Sequence, residues 1–276
     1  MTPVFANSAH VRVPERIVVR KGKWRPIDLR VRYGLCLHPD KGPVLIDTGY
    51  TAHALHAGQR SLALRLYGSV LSPRLVPENQ PEVFLRRFSL SPADVNLVVL
   101  THFHADHVSG LQLFPNARFI ADADAWRRIA SCSRVGQLRH GVFSELIPPD
   151  FSRRLEPLAD CAGVDCQRYG FSGKDLLGDG SMIAVDLPGH AAGHFGILFP
   201  RQDPPLFYAV DAQWVHAALS SNRRPGFPAS LIAHDAGAQA DTTRLLQGLE
   251  KQGVDVLLCH DPAMTHHDSD GKGGVP

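Results

Sequence analysis

The sequence predicts a layered α/β fold, and three features carry that expectation. Short apolar runs of strand length recur along the chain, helix-patterned segments lie between several of them, and the N-terminal part reads as hairpins. The strand candidates are Val31 to Leu37, Val44 to Ile46, Leu97 to Leu100, Met182 to Val185, Leu206 to Val210 and Val254 to Cys259. Helix candidates are Pro81 to Phe88, Ala105 to Leu113, Ala123 to Ser131 and Asp241 to Gln252. The last begins on an aspartate and has Gly253 just beyond it, as helix caps prefer. Arg16 to Arg25 reads as a solvated basic hairpin with Gly22 at its turn. Residues 132–180 break the rhythm with "IPPD", "FSG" and "LGDG" and few long apolar runs. We read them as an inserted cap or loop over one end of the sheet, on the substrate side, with a plain surface insertion left open. The tail, with His266 and His267, reads as loose and solvated.

The chain of 276 residues is long enough for a substantial core and is read as a single domain, residues 1–276. Its composition, 44% hydrophobic and 20% charged, argues against disorder. A net charge of +2 gives no field that selects nucleic acid or an anionic membrane, and no run approaches the roughly 20 apolar residues of a membrane span. The N-terminus has no charged-then-apolar signal pattern, so a cytoplasmic protein is expected. The five cysteines are odd in number and scattered, which favours reduced thiols. Cys161 and Cys166 form a close pair, but no second pair completes a structural metal site.

Histidine placement is more informative. "THFHADH", residues 101–107, follows the apolar run "LVVL" and contains His102, His104, Asp106 and His107. Three further strand candidates also run into a metal-type donor, namely His190, Asp211 and His260. If these strands share a sheet, their ends converge on one edge, where rigid elements can hold donors to the tolerance a metal demands. His102 and His104 are two apart and project to one side of an extended segment. Asp106 and His107 fall at the first turn of the next helix and can face a neighbouring position, so one motif can serve two adjacent cations. Imidazole and carboxylate donors suit zinc first, with manganese or iron also compatible. His38, His53, His56, His140, His216 and His234 lack a spacing partner and read as ordinary, with His234 beside Asp235 worth noting.

These residues resemble the metallo-β-lactamase-fold hydrolase superfamily over about Val31 to Asp261. "LIDTG" (45–49), "THFHADH", "LPGHAAGH" (187–194), "VDAQW" (210–214) and "CHD" (259–261) occur in the family's order. The resemblance implies a four-layer αββα sandwich with two divalent metal ions between the sheet edges. It implies that His102, His104 and His190 hold the first metal, that Asp106, His107 and His260 hold the second, and that Asp211 bridges them. It places Asp47 beneath the site as a residue that orients ligand histidines. The layout looks most like the N-acyl-homoserine-lactone lactonases. One departure is Trp214, where those lactonases usually carry a tyrosine that touches the substrate carbonyl. An indole donates one N–H but can neither ionise nor accept.

The expected function is a dinuclear metal-dependent hydrolase that uses a metal-bridging hydroxide on a lactone or other carboxylic ester of a small, partly apolar molecule. Asp106 would be both ligand and catalytic proton shuttle. His194 would meet substrate or buttress the site, with an ordinary structural role equally open. Trp214 and Phe103 are weaker candidates for an apolar substrate pocket. Thioesterase, phosphotriesterase or β-lactam hydrolase chemistry at the same centre remains an alternative, as does a metal-bound accessory or sensor protein with vestigial hydrolysis. The expected partner is a small-molecule substrate, without nucleic acid or membrane, for a monomer or homodimer.

Overall fold

A computed structural model describes residues 1–55, 60–221, 223, 225–226 and 234–269. His56 lies outside the described residues. Among them the strands form two sheets. The first contains β1 (Val4–Pro14), β2 (Pro26–His38), β3 (Gly42–Ile46), β4 (Arg74–Leu75), β5 (Leu97–Val99), β6 (Arg118–Ala121) and β7 (Leu155–Pro157), ordered β4-β1-β2-β3-β5-β6-β7. The second contains β8 (Ala162–Cys166), β9 (Phe171–Asp175), β10 (Ile183–Asp186), β11 (Phe195–Phe199), β12 (Leu206–Val210) and β13 (Asp255–Leu258), ordered β13-β12-β11-β10-β9-β8. Pairing is antiparallel in the N-terminal meander and parallel from β3 through β7, and β12 pairs with β13 in parallel.

Alternation along the strands builds the layers. Val44 and Ile46 of β3 enter the core between the sheets, while Leu45 faces the helices outside the first sheet. Leu206, Tyr208 and Val210 of β12 join the same central core, and Phe207 and Ala209 face the helix Ala236–Lys251. Successive side chains of a strand point to opposite faces, so strands apolar on both sides require cover on both sides. The result is the expected α/β/β/α order of layers. No helix of the described residues is long and apolar enough to cross a membrane.

Several sequence expectations need correction. The strands that end on donor residues do not share one sheet: β5 belongs to the first, and β10, β12 and β13 belong to the second. The helix expected over Asp241 to Gln252 is Ala236–Lys251, capped by the Asp235 carboxylate, which accepts from the N–H groups of Gly237 and Ala238. The helix expected over Ala105 to Leu113 stops at Val108, and a short turn of 3₁₀ helix covers Leu111–Leu113. Gly110 packs onto Thr48 at the break, where an added Cβ would lie 2.9 Å from the Thr48 Cβ. The basic hairpin connects β1 to β2 and carries a one-turn helix, Glu15–Val18.

Residues 132–180, expected as an inserted cap or loop, are largely framework. They supply β7 to the edge of the first sheet and the β8–β9 pair to the edge of the second. The tail is not loose as far as Ser269. Arg32, fully buried on β2, donates from Nε and Nη2 to the two carboxylate oxygens of Asp268 at 2.8 and 3.0 Å. Its Nη1 donates to the carbonyls of Leu258, Cys259 and Asp261. His267, expected in solvent, is buried and bonds Asp255 at 3.0 Å.

Removing one member of a buried ion pair leaves the other charge uncompensated. Asp268→Ala is therefore expected to lower unfolding free energy by about 3–5 kcal/mol in urea titrations. Burial raises the Asp268 pKa, but Arg32 outweighs it and holds the carboxyl below its ordinary value. The pair's contribution is thus present above the unfolded carboxyl pKa of about 3.9 and fades as pH falls through the lower folded value. A wild-type advantage that persists unchanged at pH values below both would contradict this.

Candidate metal centre

The chain turns sharply where each donor leaves its strand. Asp47 follows β3 with φ of +57°, and Val210, the residue before Asp211, has φ of +53°. A β-branched residue in that region is strained, at a cost on the order of 1–3 kcal/mol. The β12–β13 register shifts between Tyr208 and Val210, and the Cys259 N–H bonds the Val210 carbonyl at 2.8 Å. Asp211 and His260 consequently sit side by side, with His260 Nε2 3.1 Å from Asp211 Oδ2. At His190 the turn depends on Gly189, whose φ is +125° and whose added Cβ would lie 2.3 Å from the Gln239 backbone nitrogen.

Two groups of donors result. Donor atoms of His102, His104, His190 and Asp211 all lie within 4.8 Å of one another. His104 Nδ1 is 3.1 Å from His102 Nε2 and 3.0 Å from His190 Nε2, and His190 Nε2 is 3.3 Å from Asp211 Oδ2. His107, Asp211, Cys259 and His260 form the second group within the same limit. His107 Nε2 lies 3.5 Å from Asp211 Oδ2. Asp106 Oδ2 approaches this second group, 3.6 Å from His107 Nε2 and 3.4 Å from His260 Nε2. One oxygen, Asp211 Oδ2, thus faces imidazoles of both groups.

The outer hydrogen bonds decide which ring nitrogens are available. Carboxylates and carbonyls only accept, so each must take a proton from the imidazole beside it. His107 Nδ1 donates to Asp47 Oδ2 at 2.9 Å, and His260 Nδ1 donates to the Arg30 carbonyl at 2.6 Å. Both Nε2 atoms are left turned inward. The Asp47 carboxylate also accepts from the Thr101 N–H and hydroxyl, which ties β3 to the start of the histidine motif. His194 donates from Nδ1 to the Leu187 carbonyl and accepts the Asp211 N–H at Nε2, at 2.9 and 3.3 Å. Both of its nitrogens are used within the protein, and Nε2 holds the backbone of Asp211.

Burial, then the neighbouring imidazoles, holds His102 and His104 well below the ordinary histidine pKa. Burial also pushes His194 down to about 3. Burial acts the same way on His107 and His260, but the carboxylates around them prevail and raise both. Asp211 is held well below its ordinary value by His260 and His107 despite burial. Among the described residues, His107 Nε2 and Asp211 Oδ1 are buried without a hydrogen-bond partner. Unpaired buried polar atoms and three imidazole nitrogens crowded within hydrogen-bond range are what a bound cation would satisfy. The residues fit divalent metal ions.

Two neighbours, Cys259 and Gly141, escaped the sequence reading. Cys259, taken as one of several ordinary thiols, has its Sγ in the second group, and its signal was its place beside His260 at a strand end. Gly141, at φ of +67°, packs so closely that a Cβ there would lie 2.9 Å from His104 Cδ2. This contact brings the 132–150 part of the expected insertion to the site. His140 and His234 have ring centroids 5.9 Å apart, and the His234 N–H donates to the His190 carbonyl. The Trp214 ring lies 6.3 Å from His190 and 6.4 Å from His260. Phe103 instead belongs to the core, stacked on Trp126 and packed edge-on against Phe151.

Because Asp211 faces both groups, Asp211→Ala is expected to release most of about two equivalents of metal. His104→Ala should release about one. Elemental analysis of loaded, desalted protein distinguishes them, and equal losses would show that the groups are not separable as drawn. Gly189→Ala should displace His190 and lower metal retention without touching a donor, read by the same analysis.

Residues 35–130 match the Metallo-beta-lactamase superfamily. The chain is 30% identical over 265 residues to the N-acyl homoserine lactonase AiiB of Agrobacterium fabrum, covering 94% of this chain and 87% of that protein. It is 28% identical to the N-acyl homoserine lactonase AttM of Azorhizobium caulinodans, covering 89% of this chain and 87% of that one. The fold is similar to an N-acyl homoserine lactone hydrolase solved with the product N-hexanoyl-L-homoserine at its catalytic metal centre. There the TM-score is 0.69 at 17% identity, covering 95% of this chain and 94% of that one. It is also similar to AidC, a dizinc quorum-quenching lactonase, with a TM-score of 0.61 at 17% identity, covering 93% and 86% of the two chains. With the donor geometry, the strained strand ends and the sandwich in agreement, the chain belongs to the metallo-beta-lactamase superfamily and is a metal-dependent hydrolase of lactonase type.

Proposed function

We propose that this protein hydrolyses a lactone or another carboxylic ester of a small, partly apolar molecule at a pair of divalent cations, zinc first. The observation that carries the reading is the single Asp211 oxygen set between two donor groups. His102, His104 and His190 would hold one cation, Asp106, His107 and His260 the other, and Asp211 both. Two such cations, when bound, supply Lewis acidity and bring the pKa of water toward neutrality. The names of the relatives, N-acyl homoserine lactonases, support a lactone as the first substrate class to test.

The chain's own groups do the rest. Neutral His102 and His104, held so by burial, offer lone pairs without first losing a proton. Asp47 and the Arg30 carbonyl fix two rings in orientation, so no rotamer freedom is lost when the site fills. The Asp106 side chain is 13% exposed, against 2% for Asp211, so Asp106 is the carboxylate of the centre in contact with solvent. Asp106 would take the proton given up by the attacking water and hand it to the leaving alkoxide as the ester opens to acid and alcohol. Trp214 presents an apolar face beside both groups, and its N–H can donate one hydrogen bond to a substrate carbonyl.

Turnover of acyl-homoserine lactones, aryl esters, thioesters and a phosphotriester by metal-loaded protein tests the assignment. Lactones or aryl esters should give the highest kcat/KM. A lead for thioesters or phosphotriesters would replace the reading with another bond at the same centre, and no turnover with metal retained would favour a vestigial site. Asp106→Asn should lower kcat by about 10²–10⁴-fold. An unchanged kcat in a variant with full metal content would remove Asp106 from the proton path.

A further inference from the structure

We propose that Asp255, His266 and His267 form a separate binding site for a late first-row divalent cation such as Zn²⁺, Ni²⁺ or Cu²⁺. The site lies at the opposite end of β13 from His260. Its three donor atoms all lie within 4.8 Å of one another. Asp255 Oδ2 is 3.0 Å from His267 Nε2 and 3.9 Å from His266 Nε2. Bonds of about 2.0–2.1 Å in a tetrahedral shell set neighbouring donors roughly 3.3 Å apart. The observed distances bracket that spacing, so an ion fits with small side-chain adjustments.

Two imidazoles on successive residues rarely meet at one carboxylate, because neighbouring side chains tend to diverge. Here the turn stacks them, with ring centroids 3.8 Å apart. The hydrogen bond from His267 to Asp255 accounts for one ring and leaves the second unexplained. Two protonated rings at that distance would repel, whereas two neutral rings and a carboxylate make a donor set suited to imidazole-preferring metals. Burial, reinforced by His266, holds His267 below its ordinary pKa, which favours the neutral form.

The scaffold is already built. The His267 carbonyl accepts from the Phe5 N–H, and the Ser269 N–H donates to the Phe5 carbonyl, at 2.9 and 2.8 Å. Between them Asp268 is locked to Arg32 and accepts the Thr265 N–H at 2.7 Å. Asp255 is set by its own N–H bond to the Pro205 carbonyl at 2.8 Å. Binding therefore requires no loop ordering. The Asp255 and His266 side chains are 34% and 66% exposed, which leaves the remaining positions of the shell to water. An ion there clips residues 265–269 to the first residue of β13, closing the segment that carries Cys259 and His260 into a cation-bridged loop.

The test uses protein whose main centre has been loaded and freed of excess metal. Calorimetric titration with Zn²⁺ should find one further equivalent in the wild type, absent in His266→Ala and in Asp255→Asn. His266 is exposed, so its removal should leave the fold and ester turnover unchanged. Cu²⁺ at the site should show nitrogen couplings from two imidazoles in its electron paramagnetic resonance spectrum, reduced to one in His266→Ala if any Cu²⁺ remains. The same stoichiometry in wild type and His266→Ala, whether zero or one further equivalent, would overturn the proposal.

Discussion

Arg32 has no solvent exposure and five N–H donors to satisfy, and the chain meets that demand by wrapping its C-terminal segment around the guanidinium. The consequence is mechanical. Arg32 belongs to the first sheet, yet its acceptors at Leu258, Cys259 and Asp261 flank the end of β13 in the second. Beside it on β2, the Arg30 carbonyl takes the proton of His260 Nδ1. One strand of the first sheet thereby fixes both the path and the ring orientation of a donor that the second sheet supplies. Apolar contacts between the two sheets set distance but not direction, and polar contacts such as these, with the Tyr208 hydroxyl donating to the Arg32 carbonyl, supply the direction.

The donor centre imposes the complementary constraint. His107 and His260 each spend one proton outward, on Asp47 and on the Arg30 carbonyl, and turn Nε2 inward. Such a cluster costs free energy in the absence of a cation, because buried acceptors crowd one another. The chain adds backbone strain at Asp47 and Val210 to achieve it. Strain and unpaired acceptors at the same place are sensible where the group that relieves them belongs to the chemistry. His194 marks the limit of the cluster: it has the same residue type and burial, but both nitrogens are spent inside the protein, so it holds Asp211 in place.

Most of the fold was legible because its strands are short, apolar and bounded by turn residues. The six strand candidates all correspond to strands of the two sheets. What escaped follows from specific physics. The helix from Ala236 begins with small residues that give no apolar period, so the Asp235 cap was overlooked in favour of Asp241. Gly110 ends a helix through contact with Thr48, which is 62 residues away and invisible to local pattern. The edge strands β7 and β8, and β9 beside β8, carry too few apolar residues to announce themselves, so residues 132–180 read as irregular. At the site, spacing brought His102, His104, Asp106 and His107 into view together, and strand ends added His190, Asp211 and His260. Phe103 was misplaced because an aromatic residue inside a donor motif alternates away from it, into the core.

The division between framework and surroundings explains why bond chemistry is easier to read than substrate. Most donors stand on the turn just beyond a strand end, and Asp106 and His107 stand on the one-turn helix Ala105–Val108 that follows β5. The groups around the donors come from elsewhere. Trp214 follows Asp211 on a loop, Gly141 and His140 end the helix Arg134–Arg139, and His234 reaches the site through a backbone bond to His190. None of these needs a periodic pattern, since each is placed by local and tertiary contacts rather than by a repeating face. A change at Trp214 alters what can lie against the centre without removing a donor, whereas a side chain at Gly141 would press on His104. Trp214 shows the effect most directly: it packs against the core and beside His190 and His260, and its indole can donate one hydrogen bond but cannot accept.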